Sequence, residues 1–379
     1  MSEHYSELQR ELAEQIKRYS LDNIEPHMEE DDENAHFRSS IYQGLGQLGL
    51  CGITQPEEYG GADLTVSDLC AVLSELAKYS VSYAVTLSVS TMVQSIISSN
   101  GTKEQKEKYL PKLTSGEGIG AFCLSESSSG SDALSMTTTA KKVDGGFELN
   151  GTKMWITSGG IAETYIVMAK TDNDQVTTFI VEKEREGLSF GKKEKKMGWR
   201  ASPTREVILS KCFVPKENVI GKPGHGFKVA LSALDKGRVT IGSIAIGLSQ
   251  RALDESIRYS LGRVQFSQPI FDFQGLQFMM SDMATELEAA RSLVTHAASL
   301  YDLGKPNQKI SSMAKLKATD VAMAITTDAV QIHGGVGYTS EYPVERMMRD
   351  AKVLQIVEGT NQIQKVLIAR SLKKEYQSS

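Results

Sequence analysis

The sequence predicts a multidomain α+β fold: a helical N-terminal domain, an antiparallel β middle domain, and a helical C-terminal part ending in a four-helix bundle. Three observations predict it. Apolar residues recur at three- and four-residue spacing up to about Leu113, polar and apolar residues alternate between Ser115 and Pro215, and long helical periodicity returns beyond Gly226. At 379 residues and 40% hydrophobic content the chain can bury a large core, and two or three domains are expected. The boundaries are placed at 1–118, 119–225 and 226–379.

In the first part, helical segments from Glu7 onward are interrupted at "EPH", "PEEYGGADL" and "SSNGTKEQ". "GLGQLG", Gly44 to Gly49, matches GxGxxG, and Asp68 lies near the distance expected of a ribose-binding acid. A dinucleotide site also needs a buried strand leading into the first glycine. Upstream stands the polar, helix-like "ENAHFRSSIYQ", so these are read as glycines in and after a surface helix. In the middle part, Asp144-Gly145-Gly146 and Asn150-Gly151 read as hairpin turns. "TYIVMAK", "TTFIVEK", "GLSFGKK" and "REVILSKCFVP" read as further strands. In the last part, helices are expected over approximately Phe227 to Leu261, Gln274 to Leu303, Gln308 to His333 and Asn361 to Glu375, with Gly334-Gly335 as a helix stop.

Composition excludes several classes of function. A net charge of -5 argues against a nucleic-acid surface, which needs clustered positive charge. The densest basic run, "GKKEKKMGWR" from Gly191 to Arg200, is short, contains Glu194 and reads as a solvated face. Cys51, Cys70, Cys123 and Cys212 are widely spaced, with no CxxC pair and no nearby histidine, which fits free thiols rather than disulfides or a metal site. The acidic N-terminus "MSEHYSELQRELAEQ" resembles no signal or transit peptide, and no apolar run approaches the roughly 20 residues of a membrane span. A cytoplasmic protein is expected, or a mitochondrial matrix one if the chain is a mature eukaryotic form.

Chemistry gathers in four segments. "AFCLSESSSGSDALS", Ala121 to Ser135, is either a linker or a loop whose NH and OH groups hold a polar ligand. "MWITSGG", Met154 to Gly160, places Trp155 beside Thr157 and Ser158: either core, or a ring covering a planar cofactor. "LDKGR" puts Asp235 and Arg238 on one helix face, where an ordinary surface pair is the bland reading. The last runs from Gln331 to Gln364, with His333 read as a helix-end cap. It contains Glu358, a lone carboxylate among Ile356, Val357 and Gly359 just before an amphipathic helix.

Over essentially its whole length the chain resembles the acyl-CoA dehydrogenases. The resemblance rests on "PEEYGG", "SESSSGSDA", "NGTKMWIT", "FVP", "GFKVAL", "DKGR", "QIHGGVGY", "RDAK" and "EGTNQIQ" in matched order and spacing. It implies an FAD enzyme that oxidises an acyl-CoA thioester to the trans-2-enoyl-CoA, with Glu358 of "EGT" removing the α-proton and the β-hydride going to flavin N5. An ordinary glutamate, with a pKa of about 4.3, is too weak a base for a carbon acid, so an apolar setting that raises it has a purpose. The thioester carbonyl would be polarised by the Glu358 backbone N–H and a flavin ribityl hydroxyl. Relatives of the isovaleryl and long-chain type carry the base at the position of Gly237, so the short- and medium-chain arrangement is implied. The glutaryl branch adds an arginine at the position of Ala84; its absence favours an unsubstituted or branched aliphatic tail.

By the same resemblance Phe122, Leu124, Ser125, Trp155, Ile156 and Thr157 lie along the flavin. Ser131, Asp235, Arg238 and Gly359 meet the substrate. Arg263, Phe266, Gln274, Gln331, Ile332, Gly334 and Gly335 reach the FAD of a neighbouring subunit, and Thr360 and Gln362 meet FAD phosphate or adenosine groups. This implies a homo-oligomer, a tetramer by the family norm, with an electron-transferring flavoprotein as electron acceptor. An acyl-CoA oxidase and a catalytically silent flavoprotein scaffold are the alternatives. Three features depart from the family pattern: Ser127, Ser128 and Ser129 replace the usual proline and small pair after Glu126, Val357 stands for a common tyrosine, and His333 for a more usual apolar residue.

Overall fold

The computed structural model describes residues 5–377; the first four residues of the acidic N-terminus, read above as carrying no targeting signal, lie outside them. Six helices form the N-terminal part: α1 (Glu7–Asn23), α2 (Met28–Glu33), α3 (Ser39–Gln47), α4 (Val66–Ala77), α5 (Val81–Asn100) and α6 (Lys103–Thr114). Three start on reciprocal capping boxes, Ser6 with Gln9, Thr65 with Asp68 and Thr102 with Gln105, each satisfying two backbone N–H groups left over at a helix start. Each expected break is a real one: "EPH" is a single 3-10 turn, "PEEYGG" ends in left-handed Gly60, and α5 stops at Asn100. The "GLGQLG" glycines do lie in and after a helix. Their smallness serves packing, since a Cβ on Gly44 would strike the Tyr19 ring and one on Gly46 the Ser115 carbonyl.

One expectation is corrected here. α5 is 20 residues long and apolar enough to cross a membrane, although no run of that kind was read from the sequence. Its interspersed serines and threonines mask its hydropathy. In the fold, 89% of its apolar window is buried in protein, against α4 and α7.

The middle part is an eight-stranded sheet: β1 (Gly120–Cys123), β2 (Thr139–Val143), β3 (Gly146–Thr157), β4 (Thr164–Lys170), β5 (Val176–Glu182), β6 (Leu188–Phe190), β7 (Thr204–Pro215) and β8 (Val219–Ile220). The order is β6-β7-β3-β2-β4-β5-β8, with β1 beside β4. Most pairs are antiparallel, but β1 runs parallel to β4, Phe122 opposite Ile166. A strand that reaches its neighbour by crossing over two others is free to do so. Asp144-Gly145 forms the β2–β3 hairpin as read. Asn150-Gly151 does not form a turn: it lies inside β3 at a shift in the β3–β7 register, where Gly151 at φ 150° lets the backbone pass close to Thr138. The basic run is likewise only half solvated. Lys193 donates to the Ala35 carbonyl and Lys196 to that of Ser202 at 2.8 Å, burial pushing the Lys196 ammonium down to about 8.

The C-terminal part holds α7 (Gly226–Gly262), a small hairpin of β9 (Val264–Gln265) and β10 (Gln268–Pro269), α8 (Gln274–Asp302), α9 (Gln308–His333), α10 (Val344–Leu354) and α11 (Asn361–Gln377). α7, α8, α9 and α11 are the four expected helices; α10 is a fifth, hidden in the sequence behind the motif it carries. Val72, Leu73 and Leu76 of α4 share one core with Ile241, Ile244 and Leu248 of α7. The Ser88 hydroxyl on α5 donates to Thr240 on α7 at 2.8 Å. The first and last helical parts therefore pack directly on each other.

Candidate active site

Glu358 follows α10 in a turn of two left-handed residues, Glu358 at φ 55° and Gly359 at φ 86°. The second suits glycine; the first is costly for any other residue. This turn throws the carboxylate against α7, at a glycine. A Cβ built on Gly237 would lie 2.6 Å from Glu358 Oε2 and 2.8 Å from Met92 Cε. Glu358 Oε2 is buried and has no hydrogen-bond partner among the described residues. Burial pushes the carboxyl up to about 7, against the opposing pull of Arg238 and Lys315. Nor does any backbone hydrogen bond among the described residues take up the Glu358 N–H.

The "DKGR" pair is only partly at the surface: Asp235 is half-buried, Arg238 fully so. Arg238 is 3% exposed and pairs with Asp235, because α7 runs through the middle of the molecule. Lys315 on α9 was missed from the sequence. It is fully buried and donates to the Gly359 carbonyl at 3.1 Å and to Asn361 Oδ1 at 2.7 Å. Its signal was present: with Ser311, Ala318 and Ala322 it falls on the helical spacing of the buried face of α9, where a lysine is out of place.

A second site is built on the end of β3. The β3–β7 register shifts again between Lys153 and Ile156, and this bulge lifts Trp155, at φ 61°, out of the sheet until it is 60% exposed. It is not a core tryptophan. Ile156 points into the core, so only its backbone is available to a ligand, and Thr157 pairs with Thr204. Ser158, at φ 65°, has a buried hydroxyl without a partner among the described residues. Met154 N–H donates to the Ser125 carbonyl at 2.8 Å, which joins this strand end to Phe122, Leu124 and Ser125. The serine-rich segment is not a loose linker. Glu126, 4% exposed, accepts from the backbone and hydroxyl groups of Thr137 and Thr138 and from the fully buried Lys153 Nζ at 2.7 Å. These bonds fix the loop where the family's usual proline is replaced by Ser127. Ser131 sits exposed on it.

The remaining predicted residues fall on a different surface. Arg263 ends α7, Phe266 is 90% exposed at the tip of the β9–β10 hairpin, and Gln274 opens α8. Gln331, Gly334 and Gly335 are exposed, whereas Ile332 is buried in the core. His333 ends α9 with Nδ1–H donating to the Ala329 carbonyl at 2.8 Å, and its ring stacks on Tyr259 with centroids 4.3 Å apart. That stack ties the end of α7 to the end of α9, just before the glycine pair. Among the described residues no hydrogen bond or ring contact joins this surface to Trp155. Thr360 caps α11, its hydroxyl accepting from Ile363 N–H, and Gln362 is exposed beside it.

The structure thus presents a desolvated carboxylate after α10 and, at the end of β3, an exposed aromatic ring beside a rigid hydroxyl-rich loop. Comparison with known proteins agrees along the whole chain. The models for the acyl-CoA dehydrogenase N-terminal, middle and C-terminal domains match residues 6–117, 121–212 and 224–373. An acyl-CoA dehydrogenase of Bacillus subtilis (strain 168) is 44% identical over 374 residues, 97% of this chain and 99% of the relative. The solved butyryl-CoA dehydrogenase of Megasphaera elsdenii has a TM-score of 0.95 at 40% identity, covering 98% of this chain and 100% of its own. A chain solved in work on the electron transferring flavoprotein of Acidaminococcus fermentans reaches a TM-score of 0.96 at 44% identity, covering 98% and 99%. The chain belongs to the acyl-CoA dehydrogenase family. It is a flavin-dependent oxidoreductase with FAD as its cofactor. The residues present fit that group: the unpartnered Ser158 hydroxyl and the bare Trp155 ring stand together at the β3 end.

Proposed function

We propose that the protein dehydrogenates a short- to medium-chain or branched aliphatic acyl-CoA to the trans-2-enoyl-CoA, with Glu358 as the base that takes the α-proton. The observation that carries this is the buried, unpartnered Glu358 Oε2, raised by burial to about 7. At neutral pH such a carboxyl is both ionised in part and basic enough to accept a proton from carbon. The Glu358 N–H supports a role in polarising the thioester carbonyl, since among the described residues no backbone acceptor takes it up. Bound FAD supplies the two-electron acceptor for the β-hydride. Phe122, Leu124, Ser125, Trp155, the Ile156 backbone and Thr157 would hold its ring. Gly359, Ser131, Asp235 and Arg238 are kept as substrate contacts, Arg238 being buried and its partner Asp235 half-buried.

Ala84 on α5 is fully buried and uncharged, which favours a tail without a distal carboxylate. The exposed Phe266 and Tyr338 and an open apolar groove between α8 and α9, lined by Met283, Leu293, Leu316 and Ile325, support a homotetramer in which Arg263, Phe266, Gln274 and Gln331 to Gly335 serve a neighbouring subunit's FAD. Similarity to the Acidaminococcus chain supports an electron-transferring flavoprotein as electron acceptor. The test of the base is Glu358→Gln, which keeps the side-chain shape and removes the proton acceptor. FAD should stay bound while anaerobic bleaching of the flavin by butyryl-CoA stops. Bleaching at the wild-type rate would refute the assignment.

A further inference from the structure

Two cations act electrostatically on Glu358, from two different helices: Arg238 on α7 and Lys315 on α9. They are not equivalent. Arg238 already has a carboxylate partner in Asp235. Lys315, with no exposed surface, has among the described residues only neutral acceptors within hydrogen-bond reach, the Gly359 carbonyl and Asn361 Oδ1. A buried ammonium is strongly disfavoured unless an opposite charge compensates it. The carboxylates that act on Lys315 are Glu358, the larger influence, and Asp320; Arg238 opposes them. Asp320 is reached indirectly, Asn361 Nδ2 donating to Asp320 Oδ1 at 2.7 Å and to Thr319 Oγ1 at 3.0 Å.

Asn361 is thus a relay fixed on both sides, and it is the first residue of α11. Gln364, one turn further, donates to the carbonyls of Glu358 at 3.2 Å and Gly359 at 2.8 Å. The strained Glu358-Gly359 turn is therefore gripped from α9 and α11, with a buried charge at the centre of the grip. Packing alone explains none of this, because a methionine would fill the same space without the desolvation cost.

We propose that Lys315 is a positioning residue for the Glu358 base: its ammonium ties the Gly359 carbonyl and Asn361 to α9, and its charge holds the Glu358 carboxylate in its ionised form. The inference rests on Glu358 being the base. Burial pushes the Lys315 ammonium down to about 7, against the opposing pull of Glu358 and Asp320. Removing the cation disfavours the carboxylate, and Glu358 would then become a base only at higher pH.

The experiment is the pH dependence of the second-order rate of anaerobic flavin bleaching by low concentrations of butyryl-CoA, which reports the free enzyme. Wild type is compared with Lys315→Met, Lys315→Gln and Lys315→Arg, each checked for its ratio of bound flavin to protein. The acidic limb is expected to move up by about one pH unit in the Met and Gln variants and to return towards the wild-type position with Arg. Gln keeps an amide donor for Asn361, so the comparison survives if the Met variant does not fold. Coincident limbs in wild type and in either flavin-loaded neutral variant overturn the proposal. Glu358→Gln separates the two readings: if it bleaches normally, the base assignment has failed; if it is inactive while the Lys315 limbs coincide, only this inference has failed.

Discussion

Glu358 is placed by two features that differ in how visible they are along the chain. Its left-handed backbone depends on Gly359, its neighbour; the room for its carboxylate depends on Gly237, more than a hundred residues away. Gly237→Ala would put a methyl group where the carboxylate sits and push it aside. Flavin content should be unchanged, while the bleaching rate falls between about ten- and a hundredfold, the usual effect of a misplaced catalytic group. A wild-type rate in that variant would mean that the carboxylate moves freely, contrary to the packing described. The pH dependence has a definite sign as well. Glu358 must be ionised to accept a proton, and its value near 7 means that wild-type bleaching falls as pH drops below that point.

At the scale of elements, β3 decides the second half of the site. Its two bulges supply the passage of Gly151 past Thr138 and the outward aim of Trp155. Neither was legible, because Asn-Gly is a turn signal in isolation and a bulge only when strands continue on both sides of it. The segment from Ala121 to Ser135 was read either as a linker or as a loop holding a polar ligand; its rigidity resides in the Glu126–Lys153 pair, which joins residues too far apart to be paired from spacing. Hydrogen bonds from Lys153, Thr138 and Thr137 outweigh burial and hold the Glu126 carboxyl down at about 2. Relative to an unfolded value of 4.5 this stabilises the protein above that value, and the contribution is lost as pH falls from there towards 2. Glu126→Ala strands the buried Lys153 charge and should cost about 3–5 kcal/mol, seen as a lower melting midpoint and loss of FAD on gel filtration. An unchanged midpoint would show that the pair does not anchor the loop.

Across the whole molecule, a buried carboxylate joins the helical C-terminal part to the segment between β6 and β7. Asp350 on α10 accepts from the Trp199 backbone N–H at 2.6 Å, and the Trp199 indole donates to the Asp350 carbonyl at 3.1 Å. Arg349 beside it reaches Asp32 of α2 at 2.7 Å and the Met197 carbonyl at 2.9 Å, so all three parts of the chain meet at "RDAK". Burial raises Asp350 to about 6. The native state therefore binds more protons than the unfolded one between about 4 and 6, and this group lowers stability as pH rises through that window. Asp350→Asn keeps the acceptor oxygen and removes the charge. Chemical denaturation at a series of pH values should show that decline flattened in the variant; an identical slope would remove Asp350 from the account.

The sequence by itself determined the order of the parts, the four long C-terminal helices, most strands and the acid that begins "EGT". These follow from periodicity, capping residues and a motif that is continuous in the chain, all of them local properties. The refusal of "GLGQLG" was local too, since no strand precedes it. Only the tertiary structure decided that α5 lies inside the protein, that Arg238 is buried, and that Gly237, Arg238 and Lys315 converge on Glu358 from two helices. The reason is physical: burial and electrostatic coupling depend on what folding brings within a few ångströms, and residues far apart in sequence acquire their effect on that carboxylate only when α7, α9 and the turn after α10 are packed together.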